Sequence, residues 1–296
     1  MALRMARAGD HVEHADRFEP ELGAGCRCGT RNTYRPAQYF LLTYALTWIP
    51  WVVAAYCSYR AGMAVYSNVS FFLGGFGPFA SALILTWEPT HESLKLDFLD
   101  RLVNLRRFSA PYVAVTLLLS PFIACMSVAI SMCFGRPAGQ LTLLPAVLTW
   151  VPLMFVGPAL EELWWRGYGV DALRSRLGEF NASVLFGVLW AVWHVPLFLI
   201  NHSYQHDLWL MNPIYAINFF VSHIPLAIVA NWLYYKHNRL IPAAILFHCM
   251  YDAVAESLNI EQFTKCIITA IYIAFALGVA LIDRRAFRAG PRIFIP

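Results

Sequence analysis

The chain has 296 residues, of which 59% are hydrophobic and only 14% are charged. A soluble globular domain carries a larger charged fraction, so this composition excludes a soluble protein and predicts an all-α protein that crosses a membrane several times. The formal net charge of +4 is small and gives no reason to expect a nucleic-acid partner.

Residues 1–36 are polar and contain no apolar segment, so we predict a disordered cytoplasmic tail and no cleavable signal peptide. Eight apolar segments follow, and each is long enough, or nearly so, to form a transmembrane helix. They cover residues 37–59, 68–87, 110–134, 141–163, 181–200, 213–235, 239–257 and 266–283. The sequence therefore predicts one transmembrane domain over 37–283, a bundle of about eight helices, and a cytoplasmic tail over 284–296.

The distribution of Lys and Arg between the loops predicts the orientation of this bundle. Nineteen of the 22 basic residues lie in the two tails or in the loops that follow the even-numbered segments. Only Arg60, Arg136 and Lys265 fall in the alternate loops. Because cytoplasmic loops are enriched in Lys and Arg, we predict an integral, multi-pass protein in a lipid bilayer with both termini cytoplasmic.

Two segments between the spans have apolar residues at helical spacing with charges between them. In residues 88–109 this pattern predicts an amphipathic helix, either lying on the cytoplasmic face of the membrane or packed against the bundle. Residues 170–180 show a similar pattern, and we expect them to cap the site region.

Two adjacent glutamates and an arginine stand at the end of the fourth apolar segment, where a charge at mid-bilayer costs about 2.5–3.5 kcal/mol. Glu162 and Arg166 are four residues apart, so they share a helix face and can form an ion pair. Glu161 points to another side of the helix and has no local partner. An unpaired glutamate within a membrane is a candidate functional residue.

Two histidines on other segments are predicted to lie at a similar depth. His194 ends the fifth segment, and His248 lies in the seventh, on the same helix face as Asp252. At about 1.5 Å per residue, Glu161, His248 and His194 lie about 12, 14 and 20 Å from the predicted cytoplasmic surface. The sequence thus predicts a cavity between segments four, five and seven that opens toward the cytoplasmic half of the bilayer. His223, in the sixth segment, has no charged neighbour at helical spacing and is interpreted as a packing or interhelical hydrogen-bonding residue.

Three kinds of chemistry fit this set of residues. In peptide hydrolysis, Glu161 would take a proton from a water molecule that His194 holds. His248, fixed by Asp252, would donate a hydrogen bond to the oxyanion of the intermediate. In a zinc-dependent hydrolase, Glu161, His194 and His248 would be the metal ligands, although an HExxH motif is absent. A non-catalytic membrane scaffold or a transporter is the third alternative.

Three short motifs, in a fixed order on three segments, resemble those of the CPBP family, the CAAX-protease and bacteriocin-processing (Abi) family of intramembrane endopeptidases. The motifs are Glu161-Glu162-x-x-x-Arg166, Trp190-x-x-x-His194 and His248-x-x-x-Asp252. The resemblance covers roughly residues 141–257 and extends, more loosely, to the eight-helix layout.

By motif position, the resemblance implies that Glu161 activates water with His194 as its partner. It implies that His248 and Asp252 stabilise the oxyanion. It also implies that three further motif residues support the site: Glu162, Arg166 and Trp190. The implied partner is a protein or peptide substrate, and the resemblance does not choose among a prenylated CAAX protein, a peptide precursor and another membrane protein. The implied hydrolysis depends on glutamate rather than on a metal cofactor, with zinc as the alternative.

The chain departs from the family pattern at two positions. Trp190 stands where Phe is usual, and we expect it to alter the shape of the pocket more than its chemistry. Asp252 stands where many members have Asn, which can donate directly to an oxyanion. An ionised Asp cannot donate, so Asp252 is either protonated or orients His248, and we favour the second interpretation.

Overall fold

The computed structural model describes residues 34–88, 91–137, 155–257 and 259–291. Within these ranges the chain is helical and contains no strand, as the composition predicts. The predicted tail over residues 1–36 lies almost entirely outside the described residues, and the fourth apolar segment is described only from residue 155.

The helices are numbered in chain order, and most of them are connected by short turns. They are α1 (Pro36–Ser58), α2 (Ala64–Gly75), α3 (Gly77–Thr86), α4 (Glu92–Val103), α5 (Ala110–Cys133), α6 (155–164), α7 (Val170–Arg174), α8 (Glu179–Trp193), α9 (Tyr204–Met211), α10 (Pro213–Lys236), α11 (Ile241–Ser257), α12 (Gln262–Ile282) and α13 (Arg284–Arg288). One π-helical turn, Trp165–Gly169, joins α6 to α7, and the 3₁₀ helices Leu105–Arg107 and Val195–Leu199 follow α4 and α8.

Six helical segments in the described ranges are long and apolar enough to cross a membrane. They are Pro36–Ser58, Ala64–Thr86, Ala110–Cys133, Glu179–Leu199, Pro213–Lys236 and Gln262–Ile282. A shorter apolar helix, Ile241–Ala255, corresponds to the seventh predicted segment. The prediction of an all-α, multi-pass integral membrane protein is confirmed.

Close approach between helices depends on glycines at two crossings. A Cβ atom on Gly77 would lie 1.9 Å from Oγ1 of Thr47, so α3 can touch α1 only because Gly77 has no side chain. A Cβ atom on Gly187 would lie 2.7 Å from the Cα atom of Ile224, which brings α8 equally close to α10. The second crossing matters for the site, because it places His223 of α10 close to the C-terminal part of α8.

Four charged side chains form a buried ion network at the end of the bundle where Lys and Arg are concentrated: Asp97, Arg101, Asp171 and Arg239. An N–H of Arg101 donates to Asp171 at 3.0 Å, and its Nε lies 2.8 Å from Oδ2 of Asp97. Arg239 donates to the same two carboxylates at 2.9 and 2.6 Å. Two arginines and two aspartates therefore balance each other's charge inside the protein, as buried charges require.

Helix α4 has two different faces. Leu94 and Phe98 are buried against the bundle, whereas Leu96 and Val103 are more than half exposed on the other side. Of the two alternatives for residues 88–109, the helix packed against the bundle is therefore observed, and its outer face carries apolar side chains beside the exposed Glu92 and Lys95. Helix α7, within the predicted segment 170–180, is buried at the same end of the bundle.

Candidate active site

The site begins at the end of α6, where Glu161 and Glu162 precede the π-helical turn Trp165–Gly169. A π turn leaves backbone carbonyls without their usual intrahelical partners, and such turns occur frequently at functional sites. Here the guanidinium of Arg101 donates to the carbonyls of Arg166 and Gly167 at 2.8 and 2.9 Å. The buried ion network therefore also holds the turn that positions the two glutamates.

Glu162 is buried and connects two basic side chains, those of Arg166 and His248. Nη1 of Arg166 donates to Oε1 of Glu162 at 2.6 Å, as the i, i+4 spacing predicts. Nδ1 of His248, on α11, donates to the same oxygen at 2.9 Å. Glu162 thus neutralises Arg166 and also sets the orientation of the His248 ring, which the sequence had assigned to Asp252.

Asp252 lies on the other side of the same ring, with Oδ2 3.6 Å from Nε2 of His248. The four side chains form a row in which basic and acidic groups alternate: Arg166, Glu162, His248 and Asp252. In this arrangement the Nε2 side of His248 faces the cavity that Asp252 also lines.

Glu161 points away from Arg166, as its position on the helix predicts, and bonds to a residue of another helix. Nε1 of Trp190, on α8, donates to Oε2 of Glu161 at 3.0 Å. The expectation that Trp190 alters mainly the shape of the pocket is incomplete, because the indole also supplies a hydrogen-bond donor to the glutamate. A phenyl ring at this position has no such donor.

His194 follows the last residue of α8, because Pro196 cannot continue the helix. Its Nδ1 lies 2.9 Å from the carbonyl oxygen of Trp190, which can only accept, so Nδ1 carries the proton. The other nitrogen, Nε2, is then the one available to the cavity that His194 lines. The same residue, Trp190, therefore bonds to Glu161 through its side chain and to His194 through its backbone.

His223, which the sequence interpretation left outside the site, also lines the cavity. Its ring centroid lies 4.8 Å from that of His194 and 4.8 Å from the indole of Trp190, and it lines the same cavity. Its Nδ1 bonds to the carbonyl of Phe219 on its own helix rather than across an interhelical contact. A signal was present, since a histidine in an apolar span is costly whether or not a charge lies at helical spacing.

The cavity among these helices has a volume of about 340 Å³ and is lined by five of the predicted site residues. These are Glu161, Trp190, His194, His248 and Asp252. Its far end is lined by Tyr204, Gln262 and Lys265, at the starts of α9 and α12, at the end of the bundle opposite the buried ion network. The sequence predicts a cavity that opens toward the cytoplasmic half of the bilayer, whereas the lining residues extend from the site toward the end opposite the ion network. Arg101, counted as a loop cation in the sequence, is buried in that network.

Zinc coordination was an alternative use of Glu161, His194 and His248. No three His, Cys, Asp or Glu side chains in the described part of the chain are arranged to hold a metal ion. His248 directs Nδ1 toward Glu162 and Nε2 toward Asp252, so both of its nitrogens face carboxylates. As positioned, this ring does not turn a lone pair toward Glu161 and His194.

Comparisons with known proteins agree with this arrangement of helices and motifs. A family model described as Rce1-like, type II CAAX prenyl endopeptidase Rce1-like, matches residues 143–254. CAAX prenyl protease 2 from Methanococcus maripaludis is 35% identical over 263 residues, which cover 86% of this chain and 96% of that relative.

A helical membrane bundle with these motifs is an intramembrane peptidase. The chain belongs to the Rce1-like family of type II CAAX prenyl endopeptidases. Its substrate is accordingly a protein or peptide in the membrane.

Proposed function

We propose that this peptidase hydrolyses its substrate with a water molecule activated by Glu161 and His194. One observation carries the proposal. Both side chains line the same cavity and are hydrogen-bonded to Trp190. Glu161 accepts from the indole N–H at 3.0 Å, and His194 donates to the backbone carbonyl at 2.9 Å. A carboxylate and an imidazole lone pair held in this way can accept the two protons of one water molecule.

In the proposed reaction, Glu161 takes one proton of the water while the oxygen attacks the carbonyl carbon of the scissile peptide. The carbonyl oxygen becomes an oxyanion, to which Nε2–H of His248 donates. Collapse of the intermediate breaks the C–N bond, and Glu161 returns its proton to the leaving nitrogen. The products are a carboxylic acid and an amine, and the enzyme is restored.

Asp252 and Glu162 flank His248 and are proposed to keep both of its nitrogens protonated. Glu162 accepts from Nδ1, and Asp252 faces Nε2 at 3.6 Å. An imidazole with only one proton would place it on Nδ1, toward Glu162, and leave Nε2 unable to donate. The second carboxylate is what makes the Nε2 donor available to the oxyanion.

Turnover of a membrane-inserted substrate by the Glu161→Gln variant tests this mechanism. We expect turnover to be lost while the folded fraction and the melting temperature stay close to those of the unmodified protein. An active Glu161→Gln variant contradicts the mechanism. The proposed mechanism uses no metal ion, and stoichiometric zinc in the purified protein together with inactivation by a chelator would replace it with the zinc alternative.

We propose a prenylated substrate, in which a lipid chain on a cysteine near the C-terminus accompanies the peptide into the membrane. The proposal is supported by the name of the relative, CAAX prenyl protease 2, and by apolar side chains such as Leu226 and Ile268 that line the cavity beside its polar groups. Two peptides of one sequence, with and without a farnesyl group, test it. We expect a clearly higher kcat/KM for the farnesylated peptide, and equal values contradict the proposal.

We propose that both termini are cytoplasmic, which is supported by the bias of 19 of the 22 basic residues toward one end of the bundle. In that orientation the end of the cavity near Tyr204 and Lys265 faces away from the cytoplasm. An epitope inserted after Asn201 should then be reached only from the outside, and a C-terminal epitope only from the cytoplasm. The reverse pattern of labelling would contradict the proposal, because it would show that the bundle has the opposite orientation and that this end of the cavity faces the cytoplasm.

A further inference from the structure

Trp190 contacts both members of the proposed water-activating pair through different parts of one residue. Its indole N–H donates to Oε2 of Glu161, and its carbonyl accepts from Nδ1 of His194. Glu161 comes from α6 and His194 from the end of α8, so no local spacing relates them. Trp190 therefore links Glu161 and His194 and holds them at a defined separation.

The indole is itself immobilised on several sides. It is 3% exposed, stacks on Phe186 with ring centroids 5.8 Å apart, and meets the rings of His223 and His248 nearly at right angles at 4.8 and 5.3 Å. A donor on a rigid, buried ring orients its acceptor more strictly than a donor on a flexible side chain.

We propose that Trp190 is a positioning residue whose indole N–H holds Oε2 of Glu161 and thereby presents Oε1 to the water. The inference rests on the proposed function of Glu161. It adds that the reaction in this chain needs the nitrogen atom of Trp190 as well as the shape of its ring. Without this bond the carboxylate of Glu161 can rotate, and its reacting oxygen is then no longer held in a fixed position beside His194.

Two substitutions separate the N–H from the shape of the ring. Trp190→Phe removes the donor and shrinks the ring. Replacement of Trp190 by 3-benzothienylalanine keeps the bicyclic shape and exchanges only the N–H for sulfur. We expect both variants to lower kcat by roughly tenfold to a hundredfold with little change in KM, since loss of orientation affects the chemical step.

A matched control is Trp51→Phe, which removes a buried indole donor outside the site. Trp51 is 2% exposed, and its N–H donates to the carbonyl of Phe71 at 2.8 Å. Its loss should lower the melting temperature without the same fall in kcat. Unchanged kcat in the benzothienylalanine variant overturns the inference, because the ring shape would then suffice. An equal fall in kcat for Trp51→Phe also overturns it, because the effect would then be one of general stability.

A spectroscopic measurement tests the bond itself, whether or not turnover depends on Glu161. The chain has ten tryptophans, so the ¹⁵N-labelled protein gives up to about ten indole N–H resonances, and Trp190→Phe identifies the one from Trp190. We expect that resonance to move in Glu161→Gln and to stay in place in Glu88→Gln, whose carboxylate pairs with Arg35 outside the cavity. An unmoved Trp190 resonance in Glu161→Gln overturns the inference. Full turnover in Glu161→Gln, with a shifted resonance, refutes the proposed function while the contact stands.

Discussion

Glu162 binds His248 directly, with Oε1 of the glutamate 2.9 Å from Nδ1 of the imidazole. The two residues are 86 positions apart and lie on different helices, α6 and α11. Because Arg166 donates to the same oxygen, the ion pair expected from i, i+4 spacing is also the anchor of a histidine in the cavity. The two adjacent glutamates therefore have distinct surroundings, which leads to different expectations for their variants.

Glu161→Gln and Glu162→Gln should not behave alike. Glu161→Gln removes the proposed base and should abolish turnover with little effect on stability, because its oxygen can still accept from Trp190. Glu162→Gln leaves the buried guanidinium of Arg166 without an anionic partner, which costs about 3–5 kcal/mol. It also removes one of the two carboxylate charges beside His248, so it should lose both stability and activity. Thermal unfolding in detergent and turnover on one substrate measure the two effects.

Arg166→Met combined with Glu162→Gln serves as the control, because it removes the unpaired cation. Some stability should return in the double variant, while turnover stays low because His248 still lacks the carboxylate charge at its Nδ1 side. Normal melting temperatures in both single variants contradict this assignment of roles.

Asp252→Asn should lower turnover by up to about 100-fold, the cost of losing one donor to an oxyanion. With Nδ1–H of His248 directed to Glu162, Nε2 keeps a proton only if a second carboxylate faces it, and Asp252 lies there at 3.6 Å. Asn preserves the shape but not the charge. The loss should therefore be greatest at alkaline pH, where an imidazole with one carboxylate partner gives up its second proton. A pH–rate profile measures this, and near-normal turnover at every pH would mean that Asp252 donates to the oxyanion itself.

The parts of this protein that local sequence determines were predictable. Apolar length and the cost of intramembrane charge depend on neighbouring residues only, so the spans and the ion pair of Glu162 with Arg166 could be derived. Contacts that depend on how one helix is rotated against another could not. The bond from Trp190 to Glu161 and the approach of His223 to His194 are of this kind. The first depends on how α8 lies against α6, and the second follows from the crossing of α8 and α10 at Gly187.

The direction in which the cavity extends could not be derived for a different reason. Counting cations by loop treats each arginine as a solvent-facing charge. Arg101, however, is 1% exposed and pairs with Asp97 and Asp171 inside the protein. The sequence contains both the arginine and the aspartates, but the pairing of Arg101 on α4 with Asp171 on α7 depends on the tertiary fold.

His223→Asn should lower turnover by about tenfold with a small loss of stability, because the ring that packs 4.8 Å from His194 is removed. Asn is too short to fill the space between His194 and Trp190, and both rings then gain freedom to move. The matched control is His206→Asn, a histidine of α9 whose ring bonds to Tyr59 at 3.2 Å and lies outside the set of cavity residues. Unchanged kcat and KM in His223→Asn would make His223 a packing residue, as the sequence interpretation had it.

The buried ion network should make stability depend on pH through Asp171, which is fully buried between Arg101 and Arg239. Burial by itself raises the pKa of Asp171, but the charges of Arg239 and Arg101 more than offset it, and the pKa is lowered overall. A carboxyl group whose pKa is lower in the folded than in the unfolded chain stabilises the fold above the unfolded pKa, near pH 4 for Asp. That stabilisation is lost as the pH falls through the folded pKa.

Asp171→Asn should therefore lower the melting temperature strongly at neutral pH, in line with about 3–5 kcal/mol for breaking a buried pair. The difference from the unmodified protein should shrink as the pH falls from about 4 through the folded pKa, because the unfolded chain protonates Asp171 first and the folded chain then loses the same charge. Thermal unfolding followed by tryptophan fluorescence between neutral and acidic pH measures both effects. Asp100→Asn is the control, since Asp100 lies on the same helix as Arg101 but is exposed and pairs with Arg107 at the surface. A difference that stays constant down to acidic pH would show that Asp171 acts through shape and hydrogen bonding alone, because only its charge can be titrated away.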